Sequence, residues 1–304
     1  MDRLDAMRTF VRVAELGNFS AVARQMGVAR SVITRQVAAL EARLGTRLML
    51  RSTRKLSLTS AGTAYLEKCR VILNLVEAAD SDAAATRAVA RGNVRIGLPL
   101  SFGLKRLAPL LLEFADLQPA VSLEMDYTDR RADLVAEGVD LAIRITARLA
   151  PGDVARRLGL SRLLVVASPA YLARHGRPLR PADLANHECL AYVTESGRTT
   201  WSFEAHGREE SVHVQGRLSG NNGDVLCEAA ARGLGVTLQP DFIVEPYLAD
   251  GRLEQVLRDF APPELGIYAL LPGGRHQPHR VRVLVDFLAE RLRSARFGLP
   301  ATAA

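Results

Sequence analysis

Apolar positions along the first fifth of the chain recur every three or four residues. Leu4, Met7, Phe10, Val11 and Ala14 define one amphipathic helix that ends near Gly17. Ser20 is a suitable N-cap for a short second helix over 21–26, which Gly27 stops. A third helix follows after two residues, because Ile33, Val37, Leu40 and Leu44 fall at i, i+4, i+7 and i+11, and Gly45 closes it. Two helices joined by a tight glycine-containing turn predict a helix-turn-helix. On the third helix Arg30, Ser31, Thr34 and Arg35 lie roughly opposite the apolar stripe and near the N-terminal end, where a recognition helix meets base edges in the major groove. Arginine can pair with the acceptors of guanine, and Ser or Thr hydroxyls can serve bases or phosphates. The stretches LMLR and LSLT flank the polar tip STRK and read as a hairpin. That hairpin would gather Arg51, Thr53, Arg54 and Lys55 beside the DNA, making a winged helix-turn-helix over 1–62.

From Thr59, which can cap, helix formers run to about Ala90 without a proline. Tyr65, Cys69, Ile72, Val76, Ala79, Ala83, Thr86 and Ala90 alternate by four and three, a heptad seam that needs a partner to cover it. A second chain or the same chain can supply that cover. Arg91-Gly92 reads as a hinge after a linker helix over 63–90. Beyond it, the strand-like segments NVRIGLP, VSLEMDY, VDLAIRI, RLLVVAS, SVHVQGR, GVTLQ and GIYALL alternate with helix-like ones. The helices fall near 105–115, 130–137, 169–174 and 224–232, and VRVLVDFLAERL closes the chain. Such alternation predicts an α/β body with largely parallel sheets over 91–304. Its size suggests two subdomains, one of about 91–162 with 266–304 and one of about 163–265.

Charge adds the next step. Of 40 Lys and Arg, eleven lie in residues 1–62, against four of the 33 Asp and Glu; this segment carries the whole formal charge of +7 and the rest is neutral. A basic module on a neutral body is the electrostatic footprint of a nucleic-acid binder, the bland alternative being a solvated basic face. Cys69, Cys189 and Cys227 lie far apart, and an odd count without a close pair points to a reducing compartment. No apolar run reaches the roughly 18 residues of a membrane span, and the charged N-terminal stretch lacks the apolar core of a leader. A soluble cytoplasmic protein is the expectation, with no membrane partner.

The stretch NFSAVARQMGVARSVITRQVAALEARLGTRLMLRSTRKLSLTSAG resembles the DNA-binding signature of LysR-type transcriptional regulators. In that family a Ser or Thr usually stands where this chain has Ala29, and Gln or Pro where it has Arg30. The resemblance implies an antiparallel dimerisation helix, with dimers or tetramers on an inverted-repeat operator in double-stranded DNA. It also implies a periplasmic-binding-protein-like regulatory domain, with RNA polymerase as a further partner.

In such folds a ligand sits beyond the strand C-terminal ends, where helix N-termini and hydroxyls converge. Ser101, Thr128, Arg144, Thr146, Asn221, Asn222 and Gln239 occupy the matching positions, and hydroxyls, amides and one arginine suit a small organic anion. Other chemistry finds little footing. His276 and His279 sit in a Gly/Pro-rich loop rather than on a helix face, and His187, Glu188 and Cys189 are consecutive and do not converge. Nucleophile elbows, phosphate loops and zinc-protease motifs are absent from the sequence, so neither catalytic nor metal-ligating residues, nor a cofactor, are expected. The alternative is a cytoplasmic small-molecule-binding protein or enzyme to which a non-specific basic module is attached.

Overall fold

The structure, a computed structural model, describes residues 2–51, 56–83, 89–130, 134, 137–193, 200–205, 208–272 and 277–294. Three helices open the chain: α1 (Arg3–Leu16), α2 (Phe19–Met26) and α3 (Arg30–Leu44), each ending at a left-handed glycine, Gly17, Gly27 or Gly45. Met7, Phe10, Val13, Val22, Ile33, Val37 and Leu40 bury the apolar stripes against one another. The cap of α2 is Asn18 rather than Ser20. Its Oδ1 accepts from the N–H groups of Ser20 at 2.8 Å and Ala21 at 3.2 Å, which starts the helix at Phe19. Ala29 stands at the N-cap of α3 and makes no side-chain cap. Ala29→Ser is therefore expected to stabilise the N-terminal domain by about 0.5–2 kcal/mol, read as a rise in its denaturation midpoint.

The wing pairs β1 (Met49–Arg51) antiparallel with β2 (Leu56–Leu58), and α4 (Ser60–Ala83) follows. Thr59 ties the two together: its Oγ1 donates to Arg47 O at 2.8 Å and accepts from Gly62 N–H at 2.9 Å. Gly62 lies so close to the wing that a Cβ there would sit 1.9 Å from Leu48 O. The heptad seam on α4 divides. Tyr65 packs against Phe10 with ring centroids 5.8 Å apart, and Cys69 is fully buried in the N-terminal core. These two residues are covered by α1 of the same chain, because a seam of period 3.5 does not say whose surface covers it. Ile72 and Ala79 are exposed and Val76 is half-buried. Ala83 ends α4, and its side chain lies outside the described residues, as does Thr86. The helix does not reach Ala90, which is non-helical and buried in the core of the next domain.

That domain begins with β3 (Gly92–Leu98), then α5 (Leu100–Phe102), a π-turn (Gly103–Leu107) and α6 (Ala108–Leu117) as one helical run. β4 (Val121–Tyr127), β5 (Leu141–Thr146) and β6 (Val154–Ser161) complete the first half. Of the helix expected over 130–137, Leu134 and Glu137 are in turns, while 131–133, 135 and 136 lie outside the described residues. The second half holds β7 (Leu163–Ala167), α7 (Pro169–His175), β8 (Cys189–Tyr192), β9 (Thr200–Ala205) and β10 (Arg208–His213). It continues with β11 (Ser219–Gly220), α8 (Gly223–Ala231), β12 (Val236–Pro240), α9 (Asp241–Ala249) and β13 (Glu254–Val256). Finally β14 (Leu265–Leu271) and α10 (His279–Ser294) return to the first half.

Two five-stranded sheets result, ordered β4-β3-β5-β14-β6 and β11-β8-β12-β7-β13. Each is mixed rather than largely parallel. β3 pairs parallel with β4 and β5, but β14 pairs antiparallel with β5 and β6; in the other sheet β7 pairs antiparallel with β12 and β13. The physical reason is the connectivity: β14 arrives from the other sheet, with no crossover helix to turn it parallel. Between the sheets the chain crosses at Arg162, where the buried carboxylate of Asp241 accepts from Ser161 Oγ at 2.7 Å and Arg162 N–H at 3.2 Å.

Candidate functional site

Two surfaces carry chemistry. On α3, Arg30, Ser31 and Arg35 are exposed and Thr34 is half-buried, while Ile33 and Val37 are fully buried; Ser31 and Arg35 lie opposite them, whereas Arg30 shares the side of Val37 and is exposed at the first position of the helix. The helix is braced from behind by Thr9, whose Oγ1 donates to Gln36 Oε1 at 2.7 Å. The brace fixes which side chains point outward. Arg51 holds its place in the wing through its pairing with Leu56. Its side chain, together with Thr53, Arg54 and Lys55, lies outside the described residues.

Between the two sheets lies a cavity of about 490 Å³. Of the expected ligand residues, Ser101, Thr128, Arg144, Thr146 and Gln239 line it, and Asn221 and Asn222 do not. Asn222 instead caps α8, its Oδ1 accepting from Val225 N–H at 3.2 Å, and Asn221 is exposed. The backbone of Gly223 takes their place in the wall. Most of the lining hydroxyls already have partners. Thr146 Oγ1 donates to Arg148 O at 2.8 Å, and Thr128 Oγ1 accepts from Arg130 N–H at 3.2 Å. Gln239, 1% exposed, donates through Nε2 to Thr237 Oγ1 at 3.0 Å. Ser101 donates to Asp224 of the facing helix, and Lys105 Nζ is 2.6 Å from the same carboxylate. Sequence reading missed the aromatic wall of Phe102, Tyr192, Trp201 and Phe242. Burial, and then the neighbouring Asp129 carboxylate, raise the Tyr192 phenol above its ordinary range.

Comparison with known proteins decides what these surfaces belong to. Residues 4–63 match the model of the bacterial regulatory helix-turn-helix protein, lysR family, and residues 87–293 match the LysR substrate binding domain. The chain belongs to the LysR family of transcriptional regulators. It is 33% identical to the probable HTH-type transcriptional regulator LtrA of Klebsiella pneumoniae, over 98% of this chain and 97% of that one. Among solved structures it is similar to CrgA, a LysR-type regulator from Neisseria meningitidis, with a TM-score of 0.59, 31% identity and coverage of 95% and 98%. The full-length Vibrio cholerae virulence activator AphB gives a TM-score of 0.58, 28% identity and coverage of 95% and 99%. The helix-turn-helix is thus the DNA-binding part of this LysR regulator, and the cleft lies in its substrate-binding domain.

In this LysR regulator one polar chain joins the two parts. Arg70 pairs with Glu15 of α1 at 3.4 Å and Glu67 at 3.0 Å, and Glu67 lies 3.8 Å from Arg95 of β3. One turn further along α4, Asn74 donates to Asp140 Oδ1 at 2.5 Å and accepts from Arg280 Nη2 at 2.7 Å. Asp140 Oδ2 accepts from Arg95 N–H at 2.9 Å, and burial raises its carboxyl above the usual range. Its neighbour Val139 lines the cleft, as does Leu134, and both also face α4 beside Asn74. One short segment therefore separates the cleft from the linker helix.

Among the described residues, the cysteines and the His187 run sit in structural surroundings, and His276 lies outside the described residues. Burial pushes the Cys69 thiol up to about 11 and those of Cys189 and Cys227 up to about 12. Thiolate is the reactive form. The native protein at pH 8 is expected to leave all three thiols unlabelled by Ellman's reagent on a timescale that titrates them fully in denaturant. His187 Nδ1 lies 3.2 Å from the Tyr171 hydroxyl, which accepts from Glu188 N–H at 3.0 Å, so the His187-Glu188-Cys189 run braces a turn. Among the described residues no cluster of metal-ligating side chains occurs and no helix is long and apolar enough to cross a membrane.

Proposed function

We propose that this regulator binds an inverted-repeat operator in double-stranded DNA as a dimer or dimer of dimers, under control of a small effector in the cleft. The exposed face of Arg30, Ser31 and Arg35, at the head of a module that holds the whole net charge of +7, carries this reading. Phosphate neutralisation supplies affinity, and the α3 side chains supply discrimination. Ile72 and Leu75, exposed on α4, support a second copy as the cover for that face. The effector acts by binding one arrangement of the domains better than the other, which alters DNA bending and the access of RNA polymerase. No reaction is required of the protein, and its place is the cytoplasm.

Footprinting on DNA upstream of its own gene and the neighbouring genes, at fixed salt, tests the reading. A discrete protected site with two-fold symmetry is the expected result. Diffuse protection that disappears as salt rises would overturn it in favour of a non-specific basic module.

A further inference from the structure

The cleft's charged groups and its depth are separated. Among the described lining residues, Asp126, Asp129, Arg130 and Glu137 are exposed and Arg144 is half-buried, so charge is confined to the mouth. Three of these five are carboxylates. The buried lining is apolar and aromatic, with Phe102, Ile143, Trp201 and Phe242, and its polar members are Ser101 and Gln239. The hydroxyl that the buried lining could offer an anion is already taken. Ser101 and Lys105 both hold Asp224, a carboxylate in the first turn of α8. That carboxylate is not itself part of the lining. Burying an anion in the depth, against aromatic side chains and an amide, would carry the desolvation cost of an unpaired charge. A cation would face the same cost, since the carboxylates that could pair with it stay at the mouth.

Size narrows the class further. An engineered apolar cavity of roughly 150 Å³ holds a benzene. The volume here, about 490 Å³, is some three times larger. Building on the reading of the cleft as the effector site, we propose that the effector is uncharged: a ring-bearing molecule whose hydroxyl or carbonyl meets the Gln239 amide. This replaces the small organic anion expected from the hydroxyls and Arg144. The ring lies among Phe102, Trp201 and Phe242, where offset stacking and edge contacts add to burial of apolar area.

Trp201 is the chain's single tryptophan and lines the cavity, so its emission reports occupancy of this site directly. Full-length protein is titrated with 2-phenylethanol, benzoate, phenethylammonium and succinate, up to concentrations on the order of tens of millimolar, as befits fragment-sized probes. The neutral alcohol is expected to change Trp201 emission saturably, with a Kd at least about tenfold below that of benzoate or phenethylammonium, and succinate is expected to have no effect. Asp224→Asn, which releases Ser101 and Lys105 from that carboxylate, is expected to tighten benzoate more than it changes the alcohol's Kd. A charged probe that binds as tightly as the alcohol to the unmodified protein, or an alcohol titration without saturation, would overturn the proposed class. Neither result touches the reading of the cleft as a switch. That reading fails by a different observation, namely an operator footprint unaltered when the alcohol saturates Trp201.

Discussion

Arg35→Ala is expected to weaken operator binding by about 1–3 kcal/mol, about fivefold to 150-fold in affinity, while leaving the fold intact. Arg35 is exposed, so its truncation removes no buried contact, and surface changes of this kind usually stay within about 0.5 kcal/mol of neutral. The orientation of α3 survives, because it is set by Ile33, Val37 and Leu40 in the core and by the Thr9–Gln36 hydrogen bond behind. What is lost is a guanidinium at the N-terminal end of the helix, where a paired contact to guanine distinguishes one base pair from another. Anisotropy titrations on operator and scrambled DNA at two salt concentrations separate the possible roles. Loss confined to the operator marks a base contact. Equal loss on both, with the salt slope reduced by about one, marks a phosphate contact. Arg30, five residues earlier at the start of the helix and also exposed, gives the internal comparison.

The legible parts of this protein are those where local chemistry decides the outcome. Three helices, their glycine stops and the wing follow from apolar spacing and turn residues within about fifteen positions of one another. Five of the seven expected cleft residues line the cavity, because residues at or near strand C-terminal ends face a crevice in such sheets. Asn222 did not, since its side chain can cap the helix that follows, and a cap and a ligand group look alike in sequence. The heptad seam shows the same limit: period 3.5 predicts that Tyr65 and Cys69 are covered, but the cover is α1. Antiparallel β14 and β6 could not be read from alternation, because direction depends on which distant strand is the neighbour. Trp201 left a trace, as Trp201 and Phe203 alternate with Ser202 and Glu204 in a two-residue period and both are buried, but a six-residue signal is weak by itself.

Asn74→Ala is expected to loosen the linker helix from the substrate-binding domain while sparing both cores. Asn74 gives Asp140 one of its hydrogen bonds and takes one from Arg280. Alanine leaves a carboxylate oxygen of a residue only 8% exposed without that donor, a cost of about 1–3 kcal/mol. The cost falls on the contact between α4 and the segment that lines the cleft, because neither partner contributes apolar area to a core. Hydrogen exchange of the α4 amides near Asn74 should therefore accelerate about fivefold to 150-fold, with that of β5 and β12 unchanged. The pH dependence follows from Asp140, whose folded-state pKa lies above its ordinary value because the ion is buried. Ionisation thus opposes docking, fully above the raised pKa and less as pH falls through it towards the ordinary carboxyl range. Removing a donor to the ionised form raises that pKa further, so the penalty of Asn74→Ala should be largest near neutral pH and shrink on acidification. Adding Asp140→Asn, which takes the charge away altogether, should recover part of the loss at neutral pH. A penalty that is the same at pH 5 and pH 8 would mean that Asn74 acts through packing, and the coupling of cleft to linker helix would have to run through Gly138 and Glu67 instead, where a Cβ at Gly138 would lie 1.6 Å from Glu67 Oε2.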